Sequence, residues 1–221
     1  MEALIVARHA HAASNRDGTC SWAPPGEGLT EEGVEQARAL GRSLADDAIE
    51  LGVSTELLRT QETLELALDG RPVPRLVLAA LNEIHFGSFD GGLLERYREW
   101  AGAEAPDIAA PGGGESRASA AARYGRGLRT LLARPERVVL FVGHALVVRY
   151  LLDAAGGLVP AARMAPVEHA TPHRLCASEV AEAAALLEEW AVSPSFRADY
   201  RTKGTVASSG DASEGGASYK L

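Results

Sequence analysis

The sequence predicts an α/β fold in three layers, α/β/α, with helices on both faces of a mainly parallel central sheet. Two short apolar runs, at residues 3–7 and 138–142, are typical of buried strands. The second run is continuous and β-branched, as expected when both faces of a strand are covered. Helical spacing also places an apolar stripe on one predicted helix, at Val34, Ala37, Gly41, Leu44 and Ala48.

The N-terminal half of the chain alternates strand and helix. After the first strand, Thr30 is placed to cap a helix that runs to about residue 46. Residues 49–53 are predicted to form the second strand. Ser54 and Thr55 are expected to cap the helix that follows, which brings Arg59 close to a strand end.

The C-terminal half is divided by glycine and proline residues. A helix is expected at 93–101, a longer one after the Gly-Glu-Ser turn at 114–116, and a third directly after His144. His144 would therefore stand at a helix N-terminus, where backbone N–H groups favour an anion. Residues 171–180 and 185–192 are weaker strand candidates that would complete the sheet.

The length of the chain favours one domain. With 221 residues it can bury a core without disulfides or metals, and residues 1–200 are assigned to that domain. From about residue 201 to 221 the composition changes to Gly, Ser, Ala and Thr. This change predicts a flexible C-terminal tail.

Charge and composition argue against several classes of partner. A net charge of −8 does not favour nucleic acid or an anionic membrane, which would attract clustered Lys and Arg. The start of the chain is unlike a signal peptide, and the longest apolar stretch, 138–148, is too short to span a bilayer. Only two cysteines are present, which favours a cytoplasmic location. We expect a small-molecule partner and leave the oligomeric state open, a homodimer included.

Chemistry-bearing residues gather at the predicted strand ends. Arg8 and His9 follow the first strand, Arg59 and His144 lie at the starts of helices, and Glu83 is in a nearby loop. In open α/β sheets, ligands bind just beyond the carboxyl ends of the strands. Imidazole can attack phosphorus, guanidiniums can bind phosphoryl oxygens, and a carboxylic acid can protonate a leaving alkoxide. The set predicts phosphoryl transfer through a phosphohistidine.

A series of short motifs follows one order along residues 3–155. The motifs are Arg8-His9-Ala10 with Asn15 downstream, Leu29-Thr30-x-x-Gly33-x-x-Gln36-Ala37, Ser54-x-x-Leu57-x-Arg59-Thr60-x-x-Thr63, Leu81-x-Glu83-x-x-Phe86-Gly87-x-Phe89-Asp90-Gly91, Gly114-Glu115-Ser116, and Gly143-His144-Ala145. Each motif is weak by itself, whereas the ordered set is specific.

This series resembles the histidine phosphatase superfamily, also called the phosphoglycerate mutase-like fold. The resemblance implies a metal- and cofactor-independent phosphomonoesterase acting on a small phosphorylated substrate. It also implies roles for six residues: His9 as nucleophile, Arg8, Arg59 and His144 as phosphate ligands, with His144 also catalytic, Glu83 as proton donor, and Asn15 as an accessory phosphate contact.

Two positions depart from the family pattern. Ala10 stands where glycine is usual, and His11 where an acidic residue is common. A methyl group at Ala10 would crowd the backbone near the phosphate and affect the rate more than the chemistry. The mutase branch typically carries longer insertions and a tryptophan-asparagine step, and this chain has neither, which favours a phosphatase over a phosphoglycerate mutase-type transferase.

Two further hypotheses come from other classes of function. A metal-dependent hydrolase would use His9 with His11, alternating on a strand, and His169 with His173 at i, i+4 spacing. Arg8 would oppose a cation there. A weakly active phospho-ligand binding module is supported only by Ala10 and His11. For the histidines other than His9 and His144, structural roles are expected.

Overall fold

Five strands form one sheet at the centre of the molecule. A computed structural model describes residues 1–198. The strands are β1 (Ala3–Arg8), β2 (Leu51–Ser54), β3 (Arg75–Val77), β4 (Val138–Gly143) and β5 (His173–Cys176). They lie in the order β3-β2-β4-β1-β5, in which β1 to β4 run parallel and β5 pairs with β1 in the antiparallel direction. The predicted mainly parallel sheet is confirmed.

Helices follow most of the strands. They are α1 (Ala13–Asp17), α2 (Glu31–Ser43), α3 (Leu58–Ala67), α4 (Leu94–Ala103), α5 (Arg117–Leu132), α6 (Ala145–Ala155) and α7 (Ala177–Val192), with 3-10 turns at Ala79–Leu81 and Gly87–Phe89.

Alternate residues of β1 face opposite helical layers, since side chains alternate along a strand. Ile5 and Ala7 belong to an apolar cluster that includes Leu40 of α2 and Leu64 of α3. Leu4 and Val6 belong to a larger cluster formed with residues of α4, α5, α6 and α7. The predicted three-layer α/β/α architecture is therefore confirmed.

The start of α2 is held close to the loop that follows β1. Thr30 caps the helix as predicted, because its Oγ1 accepts a hydrogen bond from Gly33 N at 3.1 Å. A Cβ at Gly33 would lie 2.0 Å from the backbone oxygen of His11, so only glycine allows this approach. Of the predicted stripe, Ala37 and Leu44 are buried and Gly41 packs against the backbone of Ala67, whereas Val34 is half-buried and Ala48 is exposed. Gly33 and Leu40 complete the buried face of α2.

The prediction of a strand at 185–192 is wrong, because these residues belong to α7. The segment is rich in Ala, Leu and Glu, which favour helix. Val180, Ala183, Leu187 and Trp190 bury one face at helical spacing. Within the other candidate, 171–180, only β5 is a strand.

Ser54 and Thr55 do not cap α3, contrary to the sequence-based prediction. Ser54 ends β2, and the helix begins after Leu57, which makes no side-chain capping bond. The hydroxyl of Thr55 lies 2.9 Å from Nε2 of His144 instead. The predicted tail, residues 201–221, lies outside the described residues. In the part of the chain that is described, no helix has the length and hydrophobicity needed to cross a bilayer.

Candidate active site

The register of the two central strands brings two histidines side by side. β1 and β4 are parallel neighbours in which Arg8 is paired with Gly143. The next residues, His9 and His144, therefore leave the sheet at the same edge, and their ring centroids are 5.5 Å apart. This juxtaposition joins the first and last of the motifs at the carboxyl ends of the strands.

Hydrogen bonds define the tautomer of His9. Its Nδ1 lies 2.8 Å from the carbonyl oxygen of Ala10, which can only accept, so Nδ1 carries the proton. Nε2 then holds a lone pair and accepts from Nε of Arg59 at 3.2 Å. The pKa of His9 is held well below 6.5, chiefly by burial and then by the Arg59 charge. The imidazole is thus neutral, with its free lone pair facing a guanidinium.

Arg59 connects the two imidazoles. It lies in the first turn of α3, is 3% exposed, and donates from Nη2 to Ser21 O at 2.8 Å and towards Nδ1 of His144 at 3.3 Å. Burial lowers its pKa, opposed by the Glu83 charge. No carboxylate in residues 1–198 forms an ion pair with it. Its charge is therefore available to an anionic ligand.

Arg8 is the second guanidinium of the cluster. Its Nη1 donates to Val167 O at 2.8 Å, while its buried Nε has no hydrogen-bond partner among the described residues. Burial lowers its pKa to about 10, so the side chain stays charged at neutral pH. An unpartnered donor in a buried cation is a position where a ligand oxygen would be bound.

A chain of hydroxyl groups holds His144. The ring is fully buried, and its Nε2 lies 2.9 Å from Oγ1 of Thr55, which lies 2.9 Å from Oγ1 of Thr60. Thr60 donates to Leu57 O at 2.8 Å, so Thr55 must donate its hydroxyl proton to Thr60. Thr55 Oγ1 then accepts a hydrogen bond from Nε2–H of His144. This leaves Nδ1 to accept from Arg59. Burial and the Arg59 charge lower the pKa of His144 well below 6.5.

Glu83 lies in the loop between the two 3-10 turns. Its Oε1 accepts from Ile84 N at 3.1 Å, and its Oε2 is 3.9 Å from Nδ1 of His144. The side chain is 13% exposed, and burial raises its pKa above the usual value although Arg59 acts in the opposite sense. A carboxyl with a raised pKa can hold a proton for donation.

An ion pair supports the Glu83 loop from α5. Arg123 pairs with Glu115 at 2.6 Å and donates from Nη1 to Asn82 O at 2.9 Å and to Ala80 O at 3.2 Å. The sequence indicates Glu115 only as part of the Gly-Glu-Ser motif and gives no signal for Arg123. Nothing in local sequence predicts the pairing of a helix arginine with the backbone of a loop 41 residues away.

A cleft of about 670 Å³ opens onto the cluster and is lined by five of the six predicted residues, Arg8, His9, Asn15, Arg59 and Glu83. His144 is not among the lining residues and lies behind Arg59. In Asn15, Oδ1 accepts from Ala12 N at 3.0 Å, which leaves the amide N–H₂ as its donor.

Two of the remaining histidines, His169 and His11, form hydrogen bonds within the protein. His169 donates from Nδ1 to His9 O at 2.8 Å, and burial lowers its pKa to about 4. His169 lies in a loop and His173 begins β5, so the two are not on a helix as i, i+4 metal ligands would need to be. Within residues 1–198 no group of three His, Cys, Asp or Glu side chains is placed to hold a metal ion. His11 bonds from Nδ1 to Thr30 Oγ1 at 2.9 Å.

Two guanidiniums around an unprotonated imidazole nitrogen, with a protonatable carboxyl beside them, are typical of enzymes that bind and transfer phosphoryl groups. Comparison with known proteins agrees with this class. The chain belongs to the histidine phosphatase superfamily (branch 1), whose family model matches residues 4–193.

Curated relatives include phosphatases and mutases. An adenosylcobalamin/alpha-ribazole phosphatase of Salmonella typhimurium is 33% identical over 107 residues, which are 48% of this chain and 51% of that protein. A 2,3-bisphosphoglycerate-dependent phosphoglycerate mutase of Methylobacterium radiotolerans is 31% identical over 173 residues, 72% of this chain and 81% of that protein. The match to the alpha-ribazole phosphatase thus spans only about half of its length.

Solved structures share the fold. The alpha-ribazole phosphatase of Shigella flexneri superposes with a TM-score of 0.67 at 26% identity, over 78% of this chain and 89% of that one. A mycobacterial glucosyl-3-phosphoglycerate phosphatase superposes with a TM-score of 0.65 at 26% identity, over 79% and 91%. Both confirm the predicted phosphoglycerate mutase-like fold.

Proposed function

We propose that this protein is a phosphatase that hydrolyses small phosphomonoesters through a covalent phosphohistidine on His9. The two hydrogen bonds of the His9 ring give this proposal its strongest support. His9 Nδ1 is bonded to Ala10 O at 2.8 Å, and Nε2 presents its lone pair to the guanidinium of Arg59 at 3.2 Å. A phosphate bound by Arg59 would therefore be held beside an imidazole nitrogen that is ready to attack.

In the first step, Nε2 of His9 forms a bond to phosphorus while the bond from phosphorus to the ester oxygen breaks. The leaving alkoxide takes the proton of the Glu83 carboxyl. Arg8 and Arg59 bind the remaining phosphoryl oxygens and stabilise the charge spread over them in the transition state. Asn15 is proposed to add a neutral donor from its amide nitrogen.

In the second step, water attacks the phosphorus of the phosphoenzyme. Glu83, now a carboxylate, takes a proton from this water as the P–N bond breaks, and inorganic phosphate leaves. His144 is proposed to act from behind the guanidinium: its Nδ1 accepts from Arg59 and holds that side chain in place, and direct contact with a phosphate oxygen would require a proton on Nδ1 as well. Charge stabilisation comes from the arginines, so we propose that no metal or other cofactor takes part.

The test is phosphate release from p-nitrophenyl phosphate in excess EDTA, with the natural protein, His9→Ala, and the control His173→Ala. We expect turnover in the natural protein and the control, and loss by at least about 10³-fold in His9→Ala. Samples quenched in alkaline detergent, in which the N–P bond is stable, should contain phosphohistidine only when His9 is present. Activity that needs added metal, or that survives in His9→Ala, would overturn the proposal.

A mutase is the second candidate, because the Methylobacterium radiotolerans mutase matches over 72% of the chain. The same phosphohistidine would then be transferred to an alcohol instead of water. A phosphoenzyme that releases phosphate slowly but transfers it rapidly to a phosphoglycerate would favour this alternative. Rapid phosphate release without transfer supports the phosphatase.

A further inference from the structure

The cleft beside His9 continues into a second open cavity of about 1150 Å³. Five residues line both cavities, and three of them are arginines: Arg8, Arg98 and Arg117, with Ala145 and Met164. Arg117 is the first residue of α5 and Arg98 lies on α4. A positively charged boundary therefore separates the proposed phosphate site from the adjoining cavity.

Arg117 is a buried cation without an acidic partner. It is 7% exposed, donates from Nε to the Tyr150 hydroxyl at 2.7 Å, and reaches Ala161 O from Nη2 at 3.4 Å. Among residues 1–198 no carboxylate lies within 4.0 Å of its guanidinium nitrogens. Arginine remains protonated in proteins, and a buried charge is costly unless an opposite charge meets it.

One phosphate group does not balance the charges of this cleft. A phosphate dianion would match Arg8 and Arg59, and Arg117 would remain unpaired. Glu95 and Glu99 also line the adjoining cavity, but both are exposed, and Glu95 pairs with the exposed Arg98 at 3.7 Å. The guanidinium of Arg117 packs over the rings of Tyr150 and Phe196, at 5.5 and 5.7 Å from their centroids, but no carboxylate of the protein in residues 1–198 balances its charge.

A tyrosine hydroxyl lies beside the same guanidinium. The hydroxyl of Tyr97 is buried and lines the cleft. Burial raises the pKa of Tyr97, while the charge of Arg117 and a hydrogen bond to it act in the opposite sense. Arg117 thus has two tyrosine hydroxyls beside it, those of Tyr97 and Tyr150, and both are neutral at pH 7.

We propose that Arg117, assisted by Arg98, binds a second acidic group of the substrate, either a carboxylate or a second phosphate. The preferred substrates are then small phosphomonoesters that carry two anionic groups. This inference rests on the proposed function, because it places the ester phosphate beside His9. It makes Arg117 a residue that determines specificity and leaves the bond-breaking step to His9 and Glu83.

Matched pairs of substrates test the carboxylate. Phosphoglycolate, 3-phosphoglycerate and 4-phosphoerythronate each differ from 2-hydroxyethyl phosphate, glycerol 3-phosphate and erythritol 4-phosphate only in having a carboxylate in place of a hydroxymethyl group. Fructose 1,6-bisphosphate against fructose 6-phosphate tests the second phosphate. For each pair, kcat/KM is measured with the natural protein, and the dissociation constant by calorimetry with His9→Ala, which cannot form the phosphoenzyme.

We expect the acidic member of at least one pair to be preferred by about tenfold or more, in kcat/KM and in binding. Arg117→Met should reduce that preference to about twofold, and Arg98→Gln to about a third of its value, because each removes a charge-assisted contact. The control Arg126→Gln, an exposed residue of α5 that lines neither cavity, should keep the full preference. If Arg117→Met does not fold, the exposed Arg98 variant carries the test.

The outcomes separate the two proposals. If both members of every pair have equal kcat/KM and equal affinity, the second anion site is wrong, while hydrolysis of both still supports the phosphatase. Preferential binding to His9→Ala without any hydrolysis by the natural protein would overturn the phosphatase and leave the anion site. A preference that survives in both Arg117→Met and Arg98→Gln would assign the recognition to other residues.

Discussion

Nε of Arg59 lies 3.2 Å from Nε2 of His9, at the atom proposed to attack phosphorus. The same guanidinium reaches His144 Nδ1 at 3.3 Å through Nη2. One side chain thus contacts both imidazoles and opposes the protonation of each. A planar guanidinium can do this because its donors point in fixed directions, and an ammonium cannot reproduce the pattern.

Replacing Arg59 should therefore affect both rate and pH dependence. Arg59→Lys should lower kcat/KM for p-nitrophenyl phosphate by about 10²-fold or more, because the fork of donors is lost. In Arg59→Met the pKa of His9 should rise, since a charge that lowers it has been removed, and the acid limb of the kcat/KM profile should move to higher pH. The exposed Arg38→Lys serves as control, and an unmoved acid limb would contradict the electrostatic role.

Glu83 should matter most for poor leaving groups. Glu83→Gln is expected to lower kcat/KM for glycerol 3-phosphate, which reports phosphoenzyme formation, by about 10²- to 10⁴-fold, because an alkoxide must be protonated as it leaves. Nitrophenolate is a far better leaving group, so the loss with p-nitrophenyl phosphate should be much smaller. Burst kinetics with both substrates measure this step directly, and equal losses would argue against proton donation by Glu83.

The hydroxyl of Thr55 should set the tautomer of His144. Thr55→Val keeps the shape of a buried side chain but removes the acceptor 2.9 Å from Nε2, at a cost of about 1–3 kcal/mol of unfolding free energy. Thr55→Ser should restore both stability and kcat/KM. Nitrogen-15 chemical shifts of the His144 ring report the tautomer, and an unchanged Nε2–H signal in Thr55→Val would contradict this account.

Buried neutral histidines should make the fold sensitive to acid. The pKa values of His9 and His144 are well below 6.5 in the folded state, so their contribution to stability is complete above about pH 6.5 and decreases as the pH falls below it. Each can contribute a slope of up to about 1.4 kcal/mol per pH unit. Glu83, whose pKa is raised, acts with the opposite sign above its unfolded value.

Urea unfolding at about pH 5 and about pH 7 measures this loss of stability. His144→Gln should lose less stability between the two pH values than the natural protein. An equal loss in both proteins would show that protonation of His144 does not contribute.

Gly33 should tolerate no side chain. In Gly33→Ala the new Cβ would meet His11 O at 2.0 Å and His11 C at 2.9 Å, so backbone would have to move. We expect a loss of about 2–4 kcal/mol in unfolding free energy and reduced kcat/KM, because the His9 loop would shift. Gly156→Ala is the matched control, since its nearest contact of 3.4 Å is ordinary packing. Equal stability of the two variants would contradict this interpretation.

The sequence predicts those features of this protein that depend on local pattern. β1 and β4 are recognisable as apolar runs, and Thr30 is recognisable as a cap because it directly precedes its helix. Arg8, His9 and His144 can be placed at the edge of the sheet because they stand at the ends of these two apolar runs. The prediction of a strand at 185–192 is wrong because short apolar runs do not distinguish a strand from a buried helix.

Features that depend on distant pairing are not predictable in this way. Thr55 is a favourable helix cap in isolation, and only the folded chain shows that His144 takes its hydroxyl. Arg117 and Arg123 are ordinary helix arginines in the sequence. Their roles come from a cleft wall and a loop that α5 meets only in the tertiary structure.

The pairing of Arg8 with Gly143 also constrains how this chain can vary in length. Side chains alternate between the two faces of a strand, so deleting one residue inside β1 or β4 would turn every later side chain of that strand to the opposite helical layer. His9 and His144 would then leave the sheet out of step. Insertions in the surface loops do not alter this register. Length changes are therefore expected to accumulate in the loops around the cleft, where they can alter the choice of substrate while the two histidines stay side by side.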